Sequence, residues 1–236
     1  MKHSVCRYLV VMLVFALGVT LSATGALGQT GNPNPGVSPQ NSKPYGLTYG
    51  DWSAKWWQWA LSIPSAMNPL LDTTGANCGQ GQSGQVWLLA GTFGGAVTRT
   101  CTVPSGRSLF FPILNTAFGP PFDCLGPPGP VGPCDVDALR AGAAAFVNNP
   151  TLLQASVDGV ALQSLNTYRA PSPTFSYTVT ADNILGIPAG TYGPAVSDGY
   201  WLMLAPLSAG SHTVHFRGVR ADGFETEVTY NLTVAR

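Results

Sequence analysis

The chain has 236 residues, of which 45% are hydrophobic and 9% charged, with eleven basic side chains against eleven acidic ones. So apolar a chain is not disordered, and so balanced a charge leaves no basic footprint for nucleic acid and no acidic tail. An average soluble protein carries ~25% charged residues, so this surface must be built from Ser, Thr, Asn, Gln and Gly, as in proteins that work outside the cytosol.

Lys2 and Arg7 precede an apolar run from Tyr8 to Leu21, and Ala26-Leu27-Gly28 puts small residues where a signal peptidase cuts. The run is 14 residues long, short of the ~20 that span hydrocarbon. Residues 1–28 therefore read as a signal peptide cleaved near Gly28-Gln29, with no membrane span in the remainder. Cys6 precedes the apolar run, so it is no lipid-attachment site. Cleavage leaves about 208 residues, with nine basic and eleven acidic side chains. Residues 29–44, rich in Pro, Asn, Gly and Ser, read as a flexible leader. Residues 45–236 then form a single domain.

Four cysteines remain: Cys78, Cys101, Cys124 and Cys134. An even count in an exported chain predicts disulfides. Of the three possible pairings, proximity favours Cys78–Cys101 and Cys124–Cys134. The spacings of 23, 23 and 10 hold no close Cys pair of the kind that grips zinc.

The first element is "DWSAKWWQWALSIP", which holds four of the six tryptophans. Thr48 followed by Asp51 forms a capping box and Pro64 stops the run, giving a helix over about 49–63. At 100° per residue, Trp52, Trp56, Trp59 and Ile63 fall within about 60° of one another. Only Lys55, Gln58 and Ser62 make a polar strip. A helix with one narrow wet edge reads as core, its indole N–H groups satisfied by nearby loop carbonyls.

Strands follow. "QVWLLAGT" and "AVTRTCTV" are joined by "FGG", which suits a tight turn. "RSLFFPIL" contains Pro112, which removes a ladder donor and predicts an edge or a bulge. Asp135 caps a second helix over about 136–147, with Val136, Leu139, Ala143 and Phe146 on one face. "SVDGVALQSL", "TFSYTVTA", "YWLMLAPL", "SHTVHFRGV" and "FETEVTYNLTV" complete a set of short strands. From Phe224 to Val234 apolar and polar residues alternate. If Phe216 and Phe224 both face the core, a three-residue "ADG" loop with left-handed Gly223 sets Arg217 opposite Glu227 and Glu225 on the diagonal. The two glutamates then read as ion-pair partners on a wet face, not as a glycosidase pair. The whole is mainly β, an antiparallel sandwich with two packed helices.

Reactive constellations are sparse. His212 and His215 point to opposite faces of one strand, so they cannot share a metal from it. There is no G-x-S-x-G, H-E-x-x-H or phosphate loop, and no cofactor or metal is assigned. Asp51, Asp72, Asp123, Asp182 and Asp198 sit beside turn residues and read as turn closers. A Ser-His-Asp set assembled in space is a matter of geometry, which sequence does not exclude.

The segment "LAPLSAGSHTVHFRGVRADGFETEVTYNLTV" resembles the last hairpin of bacterial immunoglobulin-like sandwich domains, which implies an immunoglobulin-like or jelly-roll-like arrangement. Taken together, "WSAKWWQWALSIP", "RTCTVP" and "GYWLMLAPLSAGSHTVHF" resemble a family of exported bacterial proteins of uncharacterised function. That resemblance implies export and a bacterial source, and it supplies no catalytic residue.

The reading is an exported, disulfide-stabilised, non-catalytic binding or cell-envelope protein. A glycan or another envelope component is the partner its composition suits. One alternative is a secreted hydrolase using Asp72 and Asp123, with His212 as base and Arg99 as anion clamp, which requires the four to meet in one cleft. Another is a self-associating structural subunit, since near-zero charge favours association.

Overall fold

The structure is a computed structural model that describes residues 34, 36–124 and 134–236. The signal-peptide reading of residues 1–28 lies outside the described residues.

Helix α1 spans Tyr49–Ser62. Its capping box forms as expected: the Asp51 amide donates to Thr48 Oγ1 at 3.1 Å, and the Thr48 amide donates to Asp51 Oδ2 at 2.9 Å. Lys55, Gln58 and Ser62 are the exposed strip. Helix α2 spans Val136–Val147, its first amides capped by Asp135. The strands are β1 (Val86–Leu88), β2 (Gly95–Pro104), β3 (Ser108–Phe118), β4 (Leu152–Val157), β5 (Val160–Ala161), β6 (Phe175–Val179), β7 (Gly190–Leu204), β8 (Gly210–Val219) and β9 (Glu225–Ala235).

These strands form two sheets, one ordered β1-β3-β7-β6 and the other β2-β9-β8-β4-β5. Both helices pack on β3 and β7 of the first sheet, which is covered by α1 on one face and by the second sheet on the other. That is why "LFFPIL" and "YWLML" are continuous apolar runs. Phe110 and Trp201 stack on the helix side, 5.2 Å between ring centroids, and Tyr49, Trp52 and Trp56 close over them. Phe111 faces the other way and stacks on Phe216 of β8 at 4.8 Å, joining the two sheets. Aromatic pairs of this kind add ~0.5–1.5 kcal/mol each beyond their buried area. The second sheet has one wet face, so β2, β8 and β9 alternate buried with exposed residues. Most ladders are antiparallel, but β1 pairs with β3 and β2 with β9 in parallel.

Several local expectations need correction. The "FGG" link makes no hairpin: β1 and β2 belong to different sheets, so the link crosses between layers. Of the two readings of Pro112 the bulge holds and the edge does not: β3 is an interior strand, and the missing ladder donor falls at a register shift between Pro112 and Leu114. "SVDGVALQSL" is a hairpin, not one strand: Ser156 pairs with Ala161 across Asp158-Gly159, both with positive φ. The described part of the segment expected as a flexible leader is docked. The Ser38 amide donates to the Met203 carbonyl, the Ala205 amide donates to Gly36, and Val37 is buried. Backbone pairing with the end of β7 holds what composition alone would leave loose.

Both disulfides pair as proximity predicts, Cys78 with Cys101 and Cys124 with Cys134. Such bonds suit an oxidising, extracytoplasmic environment. No helix among the described residues is long and apolar enough to cross a membrane.

Candidate functional site

The C-terminal half of α1, the loop after β1, the end of β3 and the β8–β9 turn enclose a cavity of about 240 Å³. Trp56, Trp57 and Leu61 supply one wall, Asn115, Thr116 and Ala117 another, and Phe146 of α2 with Phe224 a third. An apolar cavity of ~150 Å³ takes up benzene, so this one has room for a larger ring system. Its rim is aromatic and exposed: Phe93 is 53% exposed and Phe122 64%. Large exposed hydrophobic side chains are normal singly but mark interaction sites when they gather.

Polar groups at the cavity are few. Trp52, Trp56 and Trp59 donate their indole N–H to the carbonyls of Pro44, Leu89 and Gln80 at 3.0, 2.9 and 2.8 Å. Trp57 Nε1 and Asn115 Nδ2 are buried and find no acceptor within the protein. Trp87 and Trp201 share that condition elsewhere in the fold, but Trp57 and Asn115 both line the cavity. The one carboxylate in the lining, Asp123, accepts the Gly119 amide at 2.9 Å. Tyr177 fixes the same lip by donating its hydroxyl to the Pro120 carbonyl. Burial is the main reason its pKa is pushed up to about 12. No Lys or Arg is in the lining.

The four residues of the hydrolase alternative do not meet. Asp72 closes a turn, accepting the amides of Thr74 and Asn77 at 2.8 Å each. Arg99 is 1% exposed. It donates to the carbonyls of Asp72, Ala90 and Gly91 at 2.7, 2.8 and 2.9 Å and to the Tyr230 hydroxyl at 3.0 Å. A guanidinium so fully engaged is a buried tie, with nothing left for an anion. Asp123 lies at the cavity, whose lining includes none of the other three.

His212 joins a different set. Its Nδ1 lies 2.7 Å from Asp158 Oδ2, and its Nε2 lies 3.3 Å from Ser208 Oγ. That is the connectivity of an acyl-transfer triad. The Ser208 carbonyl is closer, 2.9 Å from the same Nε2. A carbonyl only accepts, so Nε2 must carry a proton to bond it and is then unable to take one from the hydroxyl. The Asp158 hydrogen bond, opposed by burial, holds the His212 pKa above its ordinary value. Burial pushes Asp158 up, yet hydrogen bonds from His212 and the Thr213 amide hold it below the usual carboxylate range. The trio is an imidazolium tie between the β4–β5 turn and the entry to β8. On the wet face of β8, Arg217 pairs with Glu225 at 2.8 Å and His215 with Glu227 at 3.0 Å. Arg217 faces Glu227 in the ladder, so the cross-strand arrangement is the one the hairpin parity predicts.

Sequence reasoning placed Trp57 in the apolar arc of its helix and passed over Asn115, Phe93 and Phe122. The available signals were a lone amide ending the apolar run "FFPILN" and a Phe set against glycines in "FGG". Asp158 carried a plainer one: "DG" between apolar residues is a strong hairpin signal. The chain matches no family model, no curated protein and no solved structure.

Proposed function

We propose that this is an exported, non-catalytic binding protein whose ligand occupies the aromatic cavity beside α1. The observation that carries the reading is the cavity itself: about 240 Å³, walled by indoles and phenyl rings, with Phe93 and Phe122 exposed at its mouth. Ligand sites are concave, mostly apolar and set with a few polar groups. Export is supported by the two disulfides and by the N-terminal sequence.

A second reading keeps a carbohydrate as ligand. It is favoured by an open groove of about 600 Å³ lined by Asn148, Asn149, Gln163, Asn166 and Arg169, side chains that suit hydroxyl groups. Glycan arrays separate the two readings, because a sugar bound there is insensitive to changes at the cavity.

The test uses prodan, a neutral naphthalene dye whose emission shifts in apolar surroundings. The folded protein should bind it saturably, one per chain. Ala117→Trp, which fills the cavity, should abolish the shift while circular dichroism is unchanged. Equal emission with both proteins sinks the reading.

A further inference from the structure

We infer that the cavity takes an organic cation, a fully alkylated ammonium group; this rests on the cavity reading above and adds the ligand's charge and shape. Eight of the twenty described lining residues are aromatic, in a chain where aromatic residues make up 10% of the whole. Most of these rings keep accessible surface: Phe93 and Phe122 are exposed, and Trp57, Phe118, Phe146 and Phe224 are half-buried. An aromatic ring carries negative potential on its face, so rings gathered around one space attract a cation, more strongly where water is excluded. The charge of the lining agrees. Among its described residues Asp123 is the one carboxylate, and Lys, Arg and His are absent. Asp123 Oδ2 accepts the Gly119 amide at 2.9 Å, and its other oxygen has no hydrogen-bond partner among the described residues. The charge of Asp123 reaches the wall: burial first, then Tyr192 and Asp123, push the Tyr177 hydroxyl up. A hydrocarbon would leave that carboxylate uncompensated, and an anion would meet it with no cation to offset the repulsion.

The arrangement of the rings favours a rounded group. Trp57 stands at 85° to Trp56, and Phe146 at 63° to Phe224. Rings so inclined make a cup rather than a slot between parallel slabs, and a cup suits a trimethylammonium better than a flat ring. The fold already seats one cation on two of these side chains. The Arg220 guanidinium lies 3.7 Å from the Phe146 centroid and 5.7 Å from that of Phe224. Arg220 is not in the lining, so it meets those rings from outside the cavity. Asp222 offsets its charge at 2.8 Å, which leaves the charge of the cavity itself to Asp123. A trimethylammonium group occurs on small solutes and on lipid headgroups; the lack of a lining cation for a phosphate favours the solute.

Displacement of prodan from the purified protein at constant ionic strength tests this with three competitors: choline, its tert-butyl analogue (carbon in place of the charged nitrogen) and phosphocholine. Choline should compete about five- to thirtyfold better than the analogue, the factor a desolvated cation–π contact supplies. Phosphocholine should compete less well than choline; equal competition upholds the ammonium site and assigns it to a lipid headgroup. Asp123→Asn, which keeps an acceptor for the Gly119 amide, and Phe122→Leu, at an exposed position, should each shrink the choline-to-analogue ratio while circular dichroism is unchanged. A ratio of one or below in the parent, or a ratio that both variants leave intact, overturns the inference; prodan binding that Ala117→Trp abolishes then keeps the cavity reading standing. Prodan emission alike in the parent and Ala117→Trp removes both.

Discussion

Arg99 shows how a single residue is decided by its surroundings. A cation in a low-charge chain invites reading as an anion clamp, yet here it sits at 1% exposure among backbone carbonyls. Its planar fork spans the carbonyls of Asp72, Ala90 and Gly91, tying the segment before Cys78 to the segment after β1. Arg99→Met should cost about 3–5 kcal/mol, because it orphans several buried acceptors at once. Urea denaturation reads this directly, and a loss below about 1 kcal/mol would show that water reaches those carbonyls. His212 makes the second case. Its folded pKa lies above its unfolded one, so its contribution is complete below about pH 6.5 and is lost as pH rises through the folded value. Asp158, held low, contributes above about pH 3.8 and loses its contribution as pH falls. The pair is therefore strongest between those limits. The stability margin of the parent over His212→Gln should shrink as pH rises above about 6.5; a margin that grows with pH there contradicts the assignment. The effect should be modest, because the Asp158 side chain is 47% exposed.

Elements that declare themselves locally were the most legible. Both helices appear where their caps and periodicity place them, because Thr48, Asp51 and Asp135 bond amides within their own first turn. The β8–β9 hairpin was equally readable: Gly223 has φ 88°, and the Arg220 amide donates to the Phe224 carbonyl at 2.8 Å. Pairings made by distant segments were not. Nothing in "QVWLLAGT" says that its ladder partner is β3 and that its neighbour β2 will enter the other sheet. The close approach of the two sheets at Gly218 is of the same kind. A Cβ built there would lie 2.6 Å from the Ile113 carbonyl oxygen of β3, beside the register shift at Pro112. Gly218→Ala should therefore destabilise by about 1–3 kcal/mol through overpacking. Thr213→Ala, on the exposed face of the same strand, serves as the control. Thermal melts showing equal stability for the two variants would mean that the sheets part there without cost.

At the scale of the whole molecule, composition and the spacing of apolar runs revealed a β-rich, disulfide-bonded sandwich. They did not reveal that α1 covers the outer side of one sheet. The wrapped sheet is the one whose strands read as unbroken apolar runs, and the half-wet sheet is the one whose strands alternate. The candidate site was the least legible part. It draws on α1, α2, β3, β6, β7, β9 and five connections, and an indole left unpaired in three dimensions looks in one dimension like any other core tryptophan. One feature of the topology bears on how such a chain is made. In the second sheet β9 lies between β2 and β8, and its parallel ladder with β2 joins Gly95 to Thr226. A nascent polypeptide emerging from its beginning has no partner to offer β2 until residues 225–235 are available. Both of the edges that β9 will fill stay open until then, so assembly waits on long-range closure. Such a delay suits the export proposed above, which needs the chain kept unfolded until its last strand is made.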